Sequence, residues 1–277
     1  LNGGKMEIRG DVSSQFITGL LLALPLLPEE SEILLSSKLQ SRPYIDITIS
    51  VMERFGVIVR NEQYRRFSIA KGQYHFCNYE AESDWSQAAF WLVAAALGNP
   101  VQCMGMNESS VQGDRAILDI IHRWEQGDVL VDAGDIPDLV PILAVLGSLG
   151  KGTMRIENAA RLRMKESDRL AAIASELTKL GADIEEAEDF LVIHGKDSLN
   201  GGQVSSHGDH RIAMSMAIAA TRCRKAVTIS GSDAVQKSYP NFFEEYQRLW
   251  QPKKRRNKNE FNMGNQCENL YLWRVPR

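Results

Sequence analysis

Lys165-Glu166-Ser167-Asp168-Arg169 is followed by Leu170, Ile173, Ala174, Leu177 and Leu180, and the run closes at Gly181. The apolar residues fall on one face of a 3.6-residue period, and glycine is the usual residue beyond a helix end. The stretch therefore predicts a helix starting at Arg169, with Ser167 or Asp168 as its cap. A helix N-terminus carries about half a positive charge, so Arg169 in the first turn is electrostatically misplaced. Lys165, just outside, adds to the mismatch. An anionic ligand at that end would offset it, because the free backbone N–H groups there already favour anions.

The pattern recurs along the chain. Asp209-His210-Arg211 opens Ile212 to Ala220, and Lys237-Ser238-Tyr239-Pro240 precedes Asn241 to Trp250, with Pro240 suited to a first helical position. Ser13-Ser14-Gln15 begins Phe16 to Leu24, and Ser41-Arg42-Pro43 begins Tyr44 to Phe55. One such cation is a solvated side chain; several beside proton-moving acids point to a site for a multiply anionic ligand.

Helix starts at Ser13, Asp84, Asp138 and Asp209 stand 71, 54 and 71 residues apart. Second helices end near Phe55, Trp124 and Leu180. Glycine then leads into alternating segments at Val57-Ile58-Val59, Arg66 to Ile69 and Leu191 to His194, which read as strands. The unit is helix, strand, helix, strand pair, so the fold class is α/β (α+β) built from repeats. From helix end to next helix start, two units span 29 residues but the one from Trp124 to Asp138 spans 14. A hairpin is expected to be missing there, with Val129-Leu130-Val131 left as a single strand.

A length of 277 residues suggests two domains. The net charge of −3 excludes bulk nucleic-acid binding. Cys77, Cys103, Cys223 and Cys267 lack metal or disulfide spacing, which fits a reducing cytoplasm. His207 and His210 flank Asp209 without further ligands, so no metal site is expected. The Leu20 to Leu27 run is too short to span a bilayer and reads as a buried helix end broken by Pro25. Lys253-Lys254-Arg255-Arg256 opens a stretch without periodicity, and residues 251–277 are expected to be a disordered basic tail.

The six segments Ser13 to Gln15, Ser41 to Asp46, Ile136 to Asp138, Lys165 to Arg169, Asp209 to Arg211 and Lys237 to Pro240 resemble, in order, the 3-phosphoshikimate 1-carboxyvinyltransferase (5-enolpyruvylshikimate-3-phosphate synthase) family. The resemblance implies the enolpyruvyl transferase fold: two domains of three repeated units each, of the inside-out α/β barrel type, with helices bundled inside. Residues 1–82 would be an incomplete first domain on the shikimate-phosphate side, and 83–250 the second, on the phosphoenolpyruvate side. The Leu1 start reads as a fragment entered partway through its gene. On this reading the family's early lysine–serine pair and two arginines have no counterpart, and the chain alone is inactive.

The reaction implied is transfer of the enolpyruvyl group of phosphoenolpyruvate to the 5-hydroxyl of shikimate 3-phosphate, releasing phosphate, in the route to chorismate and the aromatic amino acids. Carried over by position, Ser13, Ser14, Gln15, Ser41 and Lys165 would hold the shikimate phosphate and Tyr44 would line the ring. Arg169, Arg211 and Lys237 would grip phosphoenolpyruvate, where guanidinium forks match paired oxygens. Asp138 would act on the 5-hydroxyl, Glu166 and Lys237 would move protons at the methylene carbon, and His210 would assist. No metal or organic cofactor is implied. Blander readings stand beside these: Asp138 as a helix cap, Glu166 as partner to nearby cations, Ser13 and Ser14 as caps alone. Arg161 stands where many relatives carry Asn. The rival functions are the cell-wall enolpyruvyl transferase acting on UDP-N-acetylglucosamine, and a non-catalytic fragment that binds a separate N-terminal chain.

Overall fold

The strands of this chain are too short to stand alone, and the helices between them set the strand direction. The computed structural model describes residues 2–248 and 271–274. The chain forms two compact units, one of Leu1–Glu82, Asn107–Arg115 and Gly134–Pro137, the other of Ser83–Met106, Ala116–Ala133 and Asp138–Arg277. The expected boundary after residue 82 is thus crossed twice. Polar anchors explain both excursions: Asp135 accepts the Arg42 backbone N–H at 3.0 Å and its Nε–H at 2.9 Å, while the Asn107 amide donates to Glu82 at 2.7 Å.

The first unit runs β1 (Gly4–Ile8), α1 (Ser14–Ala23), β2 (Ser31–Leu35), α2 (Arg42–Arg54), β3 (Val59–Glu62) and β4 (Arg66–Ile69). The sheet order is β1-β2-β4-β3, with β1 parallel to β2 and β4 antiparallel to both neighbours. Strands β1, β2 and β3 therefore point the same way, so α1 and α2 both return against them and start at the same end. Ile17 and Leu21 of α1 and Ile45 and Met52 of α2 pack with Ile33, Phe67 and Ile69 of the sheet into the core. As expected, α1 ends just before Pro25, which sits inside a 3₁₀ turn, Leu24–Leu26; the run is buried only in part, since Leu22 and Leu26 are exposed.

The second unit contains α3 (Trp85–Ala96), β5 (Val101–Met104), α4 (Ile117–Gln126), β6 (Val129–Asp132), α5 (Val140–Gly147), β7 (Thr153–Glu157), α6 (Arg169–Lys179), β8 (Asp183–Glu186) and β9 (Leu191–His194). It ends with β10 (Gly202–Ser205), α7 (His210–Ala220), β11 (Val227–Ser230), α8 (Phe242–Arg248) and β12 (Tyr271–Arg274). Sheet β6-β7-β9-β8 repeats the first unit's order and directions, and β10 is parallel to β11. The repeat is thus strand, helix, strand, helix, hairpin; sequence patterning omitted the leading strand from the unit and took β6, which is one, as the remnant of a hairpin. Helix α5 is apolar all round and every one of its residues is buried, as a helix inside a bundle must be. Helix α7 is buried over His210–Ala219.

The middle repeat departs from this plan. Only Gly127 and Asp128 separate α4 from β6, and among the described residues no hairpin follows α4 as one follows α2 and α6. Strand β5 pairs with β12, in parallel register. A groove of about 380 Å³ lies at the end of α4, lined by Ile121, Trp124, Leu146 and Leu149. The expected basic tail falls on residues 251–277, of which only β12 is described.

Candidate active site

In the second unit β6, β7, β10 and β11 are each followed by a loop at the same end of the repeat. Parallel strands with helical crossovers gather helix starts beyond the strands' carboxyl ends, where ligands bind in such folds. Asp138 follows β6, Lys165 to Arg169 follow β7, Asp209 to Arg211 follow β10 and Lys237 follows β11. Ser86, in the first turn of α3, joins them.

Arg169 is 1% exposed, so its charge needs partners within the protein. It has three. Nε–H donates to Asp209 Oδ2 at 2.7 Å, one terminal nitrogen to Asp138 Oδ1 at 2.8 Å and the other to Glu166 Oε2 at 2.6 Å. The mismatch of an arginine at a helix N-terminus is therefore offset by carboxylates of the chain itself. Asp168 is the cap of α6, accepting the Ala171 N–H at 3.0 Å, while Ser167 donates to Asp209 at 3.2 Å.

Arg211 is held in the same way. One terminal nitrogen donates to Asp138 Oδ2 at 3.0 Å and to Ser86 Oγ at 3.1 Å, and the other reaches the Asp138 carbonyl at 3.3 Å. Asp138 thus lies between two arginines. It sits in the 3₁₀ turn Pro137–Leu139 and does not cap α5; the capping position is Leu139, which makes no side-chain cap bond.

Two of the lysines have a different setting from the one expected. Lys165 follows the 3₁₀ turn Ala160–Met164, and Lys237 ends the 3₁₀ turn Ser232–Lys237. Neither occupies an α-helix start, and a cation at the carbonyl end of a turn is electrostatically favoured. Helix α8 begins at Phe242, so Pro240 lies outside it and residues 249 and 250 fall outside the described residues. Lys237 Nζ donates to Glu166 Oε1 at 2.5 Å, so Glu166 bridges Lys237 and Arg169.

The electrostatics follow from these contacts. Burial alone would raise the Glu166 pKa, but the Lys237 hydrogen bond and the Arg169 charge outweigh it and hold the carboxylate at about 2. Burial, with the Arg211 charge, pushes His210 down to about 4 against the pull of Asp209, leaving the imidazole neutral near pH 7. Its Nδ1 stands 3.8 Å from Asp209 Oδ1 without a hydrogen-bond partner. Lys165 is lowered by surrounding protein bulk, opposed by Asp138 and joined by Arg169 and Arg161.

The remaining residues singled out in the sequence belong to the first unit. Ser13 caps α1, accepting the Gln15 N–H at 3.2 Å, and Ser14 is buried in its first turn. Ser41 immediately precedes α2, buried, at φ 56° and without a side-chain cap bond. Tyr44 reaches Asp114 at 3.4 Å. Thr18 and Thr48 hydroxyls lie 3.1 Å apart, so α1 and α2 run side by side from adjacent starts. Ser86, Ser167 and the carboxylate of Asp209 were not singled out as site residues; the Asp209 position beside Arg211 was the available signal. Among the described residues no group of three or more His, Cys, Asp or Glu could hold a metal, and no helix is long and apolar enough to cross a membrane.

Repeated α/β units that gather arginines and carboxylates beyond the carboxyl ends of their parallel strands define the class of protein, a repeat-built α/β fold with a charged site. Residues 1–246 match the family model of EPSP synthase (3-phosphoshikimate 1-carboxyvinyltransferase), and the chain belongs to that family. It is 46% identical over 267 residues to a 3-phosphoshikimate 1-carboxyvinyltransferase of Clostridium perfringens, covering 90% of this chain and 63% of that protein. The counterpart of Clostridium kluyveri is 47% identical over 266 residues, with 90% and 62% covered. The fold matches an EPSP synthase structure from Acinetobacter baumannii at a TM-score of 0.77 and 25% identity, covering 90% of this chain and 63% of that one. The chain thus spans somewhat under two thirds of the length of these relatives.

Proposed function

We propose that this chain carries most of a site that transfers the enolpyruvyl group of phosphoenolpyruvate to the 5-hydroxyl of shikimate 3-phosphate. The observation that carries the reading is the convergence of Arg169 and Arg211 on Asp138, with Glu166 and Lys237 paired alongside. Arg169, Arg211 and Lys237 bind the carboxylate and phosphate of phosphoenolpyruvate. Ser13, Ser14, Gln15, Ser41 and Lys165 bind the shikimate phosphate, and Tyr44 lines the ring.

In this mechanism Asp138 takes the 5-hydroxyl proton as the oxygen attacks C2 of phosphoenolpyruvate. The Lys237 ammonium delivers a proton to C3, giving a tetrahedral adduct with a methyl group. Glu166, ionised beside Lys237, removes a methyl proton as the C2–O bond to phosphate breaks, restoring the double bond and releasing phosphate. Neutral His210 assists these transfers. The setting is a reducing cytoplasm, in keeping with free thiols at the described Cys77, Cys103 and Cys223.

Because the chain spans under two thirds of its relatives, the assay pairs it with the portion of the Clostridium perfringens protein outside the match, supplied as a separate polypeptide. Phosphate release should need both substrates and both polypeptides, and Lys237→Met should reduce turnover far more than shikimate-phosphate binding. Equal losses of turnover and shikimate-phosphate binding would remove Lys237 from the phosphoenolpyruvate side. Turnover with UDP-N-acetylglucosamine in place of shikimate 3-phosphate would refute the substrate assignment.

A further inference from the structure

Three carboxylates meet Arg169, and they differ in how free they are to leave it. The side chains of Glu166 and Asp138 are 28% and 18% exposed, whereas that of Asp209 is 0% exposed. In the transfer mechanism Asp138 and Glu166 work on protons; Asp209 has no such task. Yet Asp209 is bonded on both oxygens. Oδ1 accepts the backbone N–H of Arg211 at 2.8 Å, which caps α7. Oδ2 accepts Arg169 Nε–H at 2.7 Å and the Ser167 hydroxyl at 3.2 Å.

One carboxylate therefore ties together the two helix starts that carry the site's arginines. A guanidinium gripped at Nε cannot swivel, so its two terminal nitrogens keep one orientation as a flat fork. That fork faces Asp138 and Glu166, the accessible side. On the reading that Arg169 grips an anionic substrate, we propose that Asp209 is a positioning residue: it holds the Arg169 fork, and the α7 start bearing Arg211, in register for a planar oxyanion.

A cap alone would not need a carboxylate. Serine and asparagine cap helices about as well as aspartate, but serine is too short to reach Arg169 and asparagine lacks the charge. The experiment compares Asp209→Ser and Asp209→Asn with Glu176→Gln. Glu176 is an equally buried carboxylate of α6 whose partners are Lys179, His207 and the Ser205 N–H, none of them a site arginine. The readouts are hydrogen exchange of the Arg169 Nε–H by NMR and phosphoenolpyruvate affinity by calorimetry.

The wild-type Nε–H should exchange slowly. Both Asp209 variants should accelerate that exchange and weaken phosphoenolpyruvate binding at least tenfold, and Glu176→Gln should do neither. Retained protection and affinity in the Asp209 variants, or the same losses in Glu176→Gln, would overturn the inference. A wild-type Nε–H that exchanges as fast as an exposed arginine overturns it without any variant. If the wild type, paired with the second polypeptide, binds no phosphoenolpyruvate, the functional reading falls, and the exchange comparison alone decides the role of Asp209.

Discussion

Glu166 bridges Arg169 and Lys237, so on the proposed assignment it holds the place of the anionic substrate, and Glu166→Gln removes the competing charge. The carboxylate is held at about 2 against a usual 4.5. Each pKa unit is worth about 1.4 kcal/mol, so the shift sets an upper limit of about 3 kcal/mol of stability. Its side chain is 28% exposed, and screening brings the expected loss to ~1–2 kcal/mol. In a chain of this size that lowers Tm by about 3–6 °C. The sign is fixed by linkage: a depressed carboxylate contributes fully above its unfolded pKa and loses the contribution as pH falls through its folded one. Urea unfolding should show a constant difference between wild type and variant from about pH 7 to pH 5, narrowing from 4.5 towards 2. Removing the internal competitor should also tighten phosphoenolpyruvate binding about 5–30-fold, the affinity equivalent of ~1–2 kcal/mol, while turnover falls. Weaker binding by the variant, or a stability difference indifferent to pH, would refute the reasoning.

Two further expectations concern the fold around the site. Phe242 is fully buried among Phe90, Trp91, Tyr239 and Tyr246, so Phe242→Ala should cost about 3–5 kcal/mol in urea unfolding; a loss under about 1 kcal/mol would show that these rings repack. Inserting a copy of the β8–β9 hairpin after Gln126 should cover the groove beside Trp124 and raise Tm by about 2–5 °C; an unchanged Tm would mean the middle repeat is complete as it stands.

Much of the architecture was legible in local signals. The apolar spacing from Leu170 to Leu180 and the stop at Gly181 placed α6 within a residue, because one buried face and one cap suffice to define a helix end. Pro240 misled, since proline is compatible with a first helical turn but does not require one, and the chain makes a further turn before Phe242. The leading strands β1 and β10 went unread because each is short and gains its place from a parallel neighbour remote in sequence. The short Trp124–Asp138 interval was visible by counting alone, as repeats expose a deletion against their own copies.

The sequence by itself determined that cations and acids recur together in short motifs, and those motifs led to the family. It could not say which acid meets which cation, because Asp138, Glu166 and Asp209 are spread over 72 residues and each could have paired locally. The tertiary structure decided that all three converge on Arg169. Burying that guanidinium excludes water as its partner, and only carboxylates brought in by three different loops satisfy it. Parallel strands made the meeting possible, by sending every crossover helix back to start at the same end.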